Sequence, residues 1–183
     1  MTAERPPYLP GDPVPGAEIE RMIRVDHAGE YGAVRIYDGQ LAVMRHGRAR
    51  DEIRRMAEQE ARHLATFNEL VRTRQVRPTL LQPLWHMAGY ALGVATALLG
   101  EEAAMACTVA VEEVIDEHYR SQAEWLGDAD PALKQTILAF RDEELAHRLR
   151  AIEHGAMDTL GYDLISGAIK AGSRLAIWLS TRI

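Results

Sequence analysis

The chain has one cysteine, Cys107, so no disulfide can form within it, and a reducing compartment suits it. It has no long block of like charge. A net charge of −6 without such a block argues against nucleic acid as the main partner. No apolar run follows the first charges, so nothing at the start reads as a signal peptide or presequence. No segment reads as a convincing strand, and no Gly-x-Gly-x-x-Gly fingerprint follows one, so the sequence offers no nicotinamide-binding domain. No uninterrupted apolar stretch reaches the roughly 20 residues that a bilayer crossing needs. Proline is concentrated early (Pro6, Pro7, Pro10, Pro13, Pro15), which predicts an extended arm over 1–16 and one domain over 17–183.

What the chain does have is helical periodicity and enough apolar residues, 47%, for a sizeable core. One stripe runs Ile19, Ile23, Asp26, Glu30, Val34, Tyr37, Leu41, Met44 over about 17–46, with Gly47 ending it. A second, over about 51–74, runs Ile53, Met56, Glu60, His63, Phe67, Leu70. After Pro78 and Pro83, residues 84–100 are apolar almost all round. Residues 103–126 carry Met105, Val109, Glu112, Ile115, Tyr119, Leu126. Asp130-Pro131 reads as an N-cap with proline at the first helical position, ahead of Leu133, Ile137, Phe140, Glu144, His147, Ala151. A last helix is predicted over about 164–181.

Two Glu-x-x-His triplets stand out, Glu60 to His63 and Glu144 to His147. Each follows a lone glutamate, Glu30 and Glu112, at spacings of 30 and 32. All six residues lie on the apolar stripes, and within each triplet Glu and His are one turn apart on one face. Burying an unpaired carboxylate costs on the order of several kcal/mol. Two divalent cations would balance four such carboxylates, which gives a physical reason to expect metal. Carboxylates with imidazole suit iron or manganese. The pattern fits an all-α, ferritin-like four-helix bundle with two metal ions inside it.

The halves also repeat. A shift of 82 superposes Glu30 on Glu112, Tyr37 on Tyr119 and Gln40 on Gln122; a shift of 84 superposes Glu60 on Glu144, His63 on His147 and Met56 on Phe140. A duplicated helix hairpin would supply equivalent ligands from each half. Gln59 and Glu143, each one residue before a triplet glutamate, could accept the free N–H of the opposite half's histidine, against a reading as solvated polar residues. His27 is either an alternative ligand or a supporting group beside Asp26. Tyr119 could hydrogen-bond near the site or be an ordinary core tyrosine, and His118 points off that face. Glu101, Glu102 and Glu113 read as neighbours of the site, and Cys107 as a small buried residue.

Residues 84–100 are either a buried core helix or a helix facing lipid. Arg72, Arg74 and Arg77 before it and Trp85 within it suit an anchor lying in one leaflet. The last helix, with Lys170, Arg174, Trp178 and Arg182, could form part of the same surface.

Arg24-Val-Asp-His-Ala-Gly-Glu30-Tyr-Gly-Ala33, Glu58 to His63, Ala106 to Glu113 and Asp142 to His147 resemble the four signatures of the demethoxyubiquinone hydroxylases, di-iron monooxygenases of ubiquinone biosynthesis. Ala176-Ile-Trp-Leu-Ser180 is similar to their ending, and the resemblance spans about 18–183. It implies iron ligands at Glu30, Glu60, His63, Glu112, Glu144 and His147. It also implies a His-Tyr pair, His118 and Tyr119, in electron or proton delivery. The implied reaction is O2-dependent hydroxylation of a polyprenyl methoxy-methyl-benzoquinol ring, using two iron ions. Electrons would come from the quinol, from NADH or from a separate reductase. A lipid-binding accessory protein of the same pathway is an implied partner. The implied location is peripheral, on the cytoplasmic face of a bacterial inner membrane or the matrix face of the mitochondrial one. The absence of a presequence favours the bacterial case. A ferritin-like ferroxidase or iron-handling protein would use the same ligands, and a non-catalytic scaffold is a third class.

Overall fold

The structure is a computed structural model that describes residues 15–183. Six helices make up nearly all of it: α1 (Pro15–Val43), α2 (Arg48–Thr73), α3 (Gln82–Leu99), α4 (Glu101–Leu126), α5 (Pro131–Glu153) and α6 (Tyr162–Ser180). A short 3-10 turn, Ala156–Asp158, links the last two. Most of the proline-rich arm lies outside the described residues, but Pro15 and Gly16 already belong to α1.

The helix ends follow local chemistry. Asp130 caps α5 as the sequence predicts, its carboxylate accepting the Leu133 N–H at 3.0 Å, with Pro131 in the first turn. Gly47 does not end the first helix. α1 stops at Val43, and Gly47 instead introduces α2 at φ 116°, a value glycine reaches without steric cost.

α1 with α2 and α4 with α5 form two hairpins that close into a four-helix bundle. Two apolar clusters fill its ends. Tyr37, Met44, Ile53, Met56, Met105 and Val109 occupy one end, and Ile23, Phe67, Leu126, Leu133 and Ile137 the other. Between them runs a band of buried polar side chains. Each hairpin contributes to both clusters.

α3 and α6 lie outside this bundle, α3 mainly against α1 and α6 mainly against α4. α3 has one buried face and one exposed face. Gly89, Gly93, Thr96 and Ala97 are buried. A Cβ on Gly93 would overlap the Ile36 carbonyl, 2.8 Å from its carbon, and one on Gly89 would lie 2.9 Å from Gly32 O. The helix backbones thus touch, which glycine alone allows. The opposite face leaves Met87 72% and Leu98 70% exposed, and Leu164 at the start of α6 is 80% exposed. None of the described helices is long and apolar enough to cross a membrane.

Several of the cations read as a possible anchor also have partners within the chain. Arg72 pairs with Glu69 and Arg74 with Asp130. On α6, Lys170 pairs with Glu113 and Arg174 with Glu117, tying α6 to α4. Arg182 lies over the Trp178 ring at 4.2 Å. Trp85 does not sit alone at an interface either: its Nε1 donates to Ser180 Oγ at 3.0 Å and joins α3 to the end of α6.

Candidate metal centre

Glu30 comes from α1, Glu60 and His63 from α2, Glu112 from α4, and Glu144 and His147 from α5. All six are buried in the polar band. Their donor atoms form two overlapping groups, each within 4.8 Å. One is Glu30, Glu60, His63 and Glu144; the other is Glu60, Glu112, Glu144 and His147. Glu60 and Glu144 belong to both groups, while Glu30 and Glu112 each belong to one. His63 Nδ1 lies 3.0 Å from Glu144 and 3.5 Å from Glu30; His147 Nδ1 lies 2.9 Å from Glu144 and 3.2 Å from Glu60.

These donors fit a pair of hard cations. Glu30 Oε2, Glu60 Oε1 and His63 Nδ1 are buried without a hydrogen-bond partner and face the cluster, where such orphans are otherwise costly. The set is rich in carboxylate oxygen with one imidazole per group, the chemistry of iron or manganese.

Charge crowding shifts the titration of the whole cluster. Burial, then the charge of Glu144, pushes Glu60 and Glu112 well above the usual carboxylate range. Burial also raises Glu30. Burial would raise Glu144 too, but hydrogen bonds from His147 and His63 outweigh it and hold Glu144 at about 2. Burial opposes charge on the histidines, yet their bonds to glutamates prevail. Those from Glu144 and Glu30 raise His63 to about 11, and those from Glu144 and Glu60 raise His147 to about 9.

The groups around the ligands cross between the halves. Tyr119 on α4 donates its hydroxyl to Glu30 on α1, while Tyr37 on α1 donates to Glu112 on α4 at 3.3 Å. His63 Nε2 lies 3.3 Å from Glu143 Oε2, and His147 Nε2 lies 3.1 Å from Gln59 Oε1. The sequence leaves these two polar residues either as acceptors for the opposite half's histidine or as solvated groups, and the structure brings each within hydrogen-bond distance of that histidine. The sequence reading had no role for Tyr37, although the shift of 82 that pairs Tyr37 with Tyr119 carried the signal. Phe140 stacks on the His63 ring at 3.9 Å.

His118 touches none of the six ligands. Its Nε2 sits 3.0 Å from Asp26 Oδ1, which also accepts from Gln122 at 2.8 Å. Burial raises the Asp26 carboxyl, against the pull of His118. His27 turns toward Asn68 at 2.9 Å and supports the α1–α2 contact, not a metal position. Cys107 is fully buried, and burial pushes its thiol up to about 12.

Beside the centre lies an apolar cavity of about 490 Å³ between α1, α3, α4 and α6. Its walls include Gly29 and Val111, the residues before Glu30 and Glu112, with Gly32, Ile36, Leu92 and Ile115. No sequence pattern pointed to it, because its small residues matter only once four helices meet.

The family "Ubiquinone biosynthesis protein COQ7" has a model that matches residues 17–180. The chain is 58% identical over 176 residues to the 3-demethoxyubiquinol 3-hydroxylase of Rhodospirillum rubrum, covering 96% of this chain and 83% of that one. It is 51% identical over 176 residues to the human mitochondrial NADPH-dependent 3-demethoxyubiquinone 3-hydroxylase, covering 94% and 81%. To the 5-demethoxyubiquinone hydroxylase of Saccharomyces cerevisiae it is 42% identical over 184 residues, covering 91% and 79%.

Proposed function

The chain belongs to the COQ7 family of ubiquinone biosynthesis proteins, and from that premise we propose that it is a membrane-associated, di-iron 3-demethoxyubiquinol hydroxylase. The observation that carries the di-iron part is the pair of overlapping donor groups built from Glu30, Glu60, His63, Glu112, Glu144 and His147. Iron held there supplies the activation of dioxygen, which side chains cannot perform.

The chain's own residues set the conditions. Glu60 and Glu144 would help hold both ions, and Glu30 and Glu112 one each. Tyr119 holds Glu30, and Tyr37 holds Glu112, by a hydrogen bond. The apolar clusters above and below keep bulk water from the centre. The cavity would receive the quinol ring. Its volume of about 490 Å³ falls in the usual range for small-molecule pockets, and it lies against both helices that carry Glu30 and Glu112. An isoprenoid tail favours lipid, and the exposed apolar residues on α3 and at the start of α6 offer a surface to a leaflet beside that cavity. Electrons would come from a nicotinamide, as the human relative's name states for that protein, or from another reductant. His118 and Tyr119 would serve their delivery, Tyr119 through its bond to Glu30 and His118 from its place beside Asp26. The surface would be the cytoplasmic face of a bacterial inner membrane or the mitochondrial matrix face, with an accessory lipid-binding protein as partner. An iron-handling role uses the same donors but gives the apolar cavity no purpose.

The test is anaerobic loading with Fe2+, metal analysis, and an assay for the hydroxylated quinol under O2 with reductant. Two irons per chain and turnover are expected, with Glu112→Ala losing both turnover and part of the iron while staying helical. Two irons bound without product would move the chain to iron handling. Full activity in Glu112→Ala would refute the assignment of that ligand.

A further inference from the structure

Gln59 and Glu143 occupy equivalent places in the two halves, 84 residues apart, yet one is a neutral amide and the other an acid. They also touch each other. Gln59 Nε2 donates to Glu143 Oε2 at 2.8 Å, the same oxygen that faces His63 Nε2 at 3.3 Å. An ionised carboxylate only accepts hydrogen bonds. Gln59 must therefore turn its amide nitrogen toward Glu143, which leaves its oxygen for His147 Nε2 at 3.1 Å. Both Nε2 atoms are then donors. Both Nδ1 atoms point inward, each toward its own group of carboxylates, where a cation would take the place of the proton shared with Glu144.

We propose that Glu143 is a positioning residue that sets the tautomer of both metal-facing histidines, and that it makes the two cation positions unequal. Its charge reaches His63 directly but reaches His147 only through the Gln59 amide. A carboxylate behind an imidazole makes the ring a stronger donor than a neutral amide does. The position formed by Glu30, Glu60, His63 and Glu144 therefore takes up the first cation.

This inference rests on the di-metal reading, and one experiment separates their failures. The full-length chain is stripped of metal and crystallised, then soaked with about one equivalent of Co2+. Anomalous scattering gives the occupancy of each position, and a solution titration with Co2+ gives the two affinities. The wild type is expected to favour the His63 position by about tenfold or more, the scale on which such partners act. Glu143→Gln should abolish that preference. The exchanged variant, Gln59→Glu with Glu143→Gln, keeps the same two side-chain types and should reverse it. A merely structural role would weaken both positions together and reverse nothing. Equal occupancy in the wild type, or a preference unmoved by the exchange, would overturn the proposal while leaving two metals in place. A chain that takes up no Co2+ would overturn the di-metal reading with it.

Discussion

Removing metal from this chain should make its stability fall as pH rises, and restoring metal should reverse the sign. The reason lies in the two histidines. Their ordinary value is 6.5, but glutamate bonds hold His63 at about 11 and His147 at about 9 in the folded, metal-free chain. A raised histidine contributes stability that is fully present below its unfolded value and lost as pH climbs through its folded value. The loss therefore begins near 6.5, is complete near 9 for His147 and continues to about 11 for His63. Each extra proton on the native state contributes a slope of about 1.4 kcal/mol per pH unit. Two protons held from pH 7 to 8.5 amount to on the order of 4 kcal/mol, a large share of a typical ~5–15 kcal/mol stability. Glu60 and Glu112, also raised, act in the same direction. Glu144, held at about 2, acts only in acid, where its contribution is lost as pH falls through that value. For a chain of this size the melting temperature should drop by on the order of 10 °C across that window. Metal displaces these protons, so loaded protein should bind its ions more tightly at higher pH and release protons on loading. The assay is circular-dichroism melting of stripped and Fe2+-loaded protein at several pH values under argon, with a pH indicator following the loading step. A stripped protein whose melting point is flat or rises between pH 7 and 8.5 would refute the reasoning, as would loading without proton release.

Three further outcomes follow from particular contacts. Tyr37→Phe removes the buried hydroxyl that holds Glu112 at 3.3 Å, a loss of about 1 kcal/mol, or roughly fivefold in affinity at one of the two ion positions. Metal titration checks it, and an unchanged isotherm would mean that the bond does nothing. Gly93→Ala places a methyl on the Ile36 carbonyl where neither backbone can yield, so urea unfolding should show a loss of about 3 kcal/mol or more. A wild-type midpoint would show that α1 and α3 can separate freely. Replacing Met87 and Leu98 with glutamate on the exposed face of α3 removes up to about 1.5–3 kcal/mol of apolar burial in lipid per side chain. Sedimentation with anionic vesicles should drop while the helical signal holds; undiminished binding would place the lipid contact elsewhere.

Much of the centre was legible before any coordinates. The six residues that the structure brings together could be named because a buried carboxylate on an apolar stripe violates local expectation, and the violation recurs in register. The cross-half partners Gln59 and Glu143 were legible for a related reason: a metal-bound histidine needs an acceptor, and only a residue beside the opposite triplet is within reach. Tyr37 was missed although its repeat partner Tyr119 was weighed. A tyrosine on an apolar stripe reads as core, and here it is core and hydrogen-bond donor together. The partners of the arginines ahead of α3 were not legible: Arg72 pairs with Glu69, and Arg74 with Asp130, which is 56 residues away.

The sequence by itself determined the helices and singled out the six candidate donors. These depend on spacing along single helices and on a repeat, and both are one-dimensional. Only the tertiary structure decided which face of α3 is buried, which acids hold the arginines and lysine near the outer helices, and that a cavity opens beside the metal positions. Those depend on where backbones approach closely enough for glycine to matter and on distances between residues far apart in the chain. The same holds for Glu143. Its neighbour in sequence marked it as an acceptor, but only its distance to Gln59 makes one carboxylate answer for both histidines.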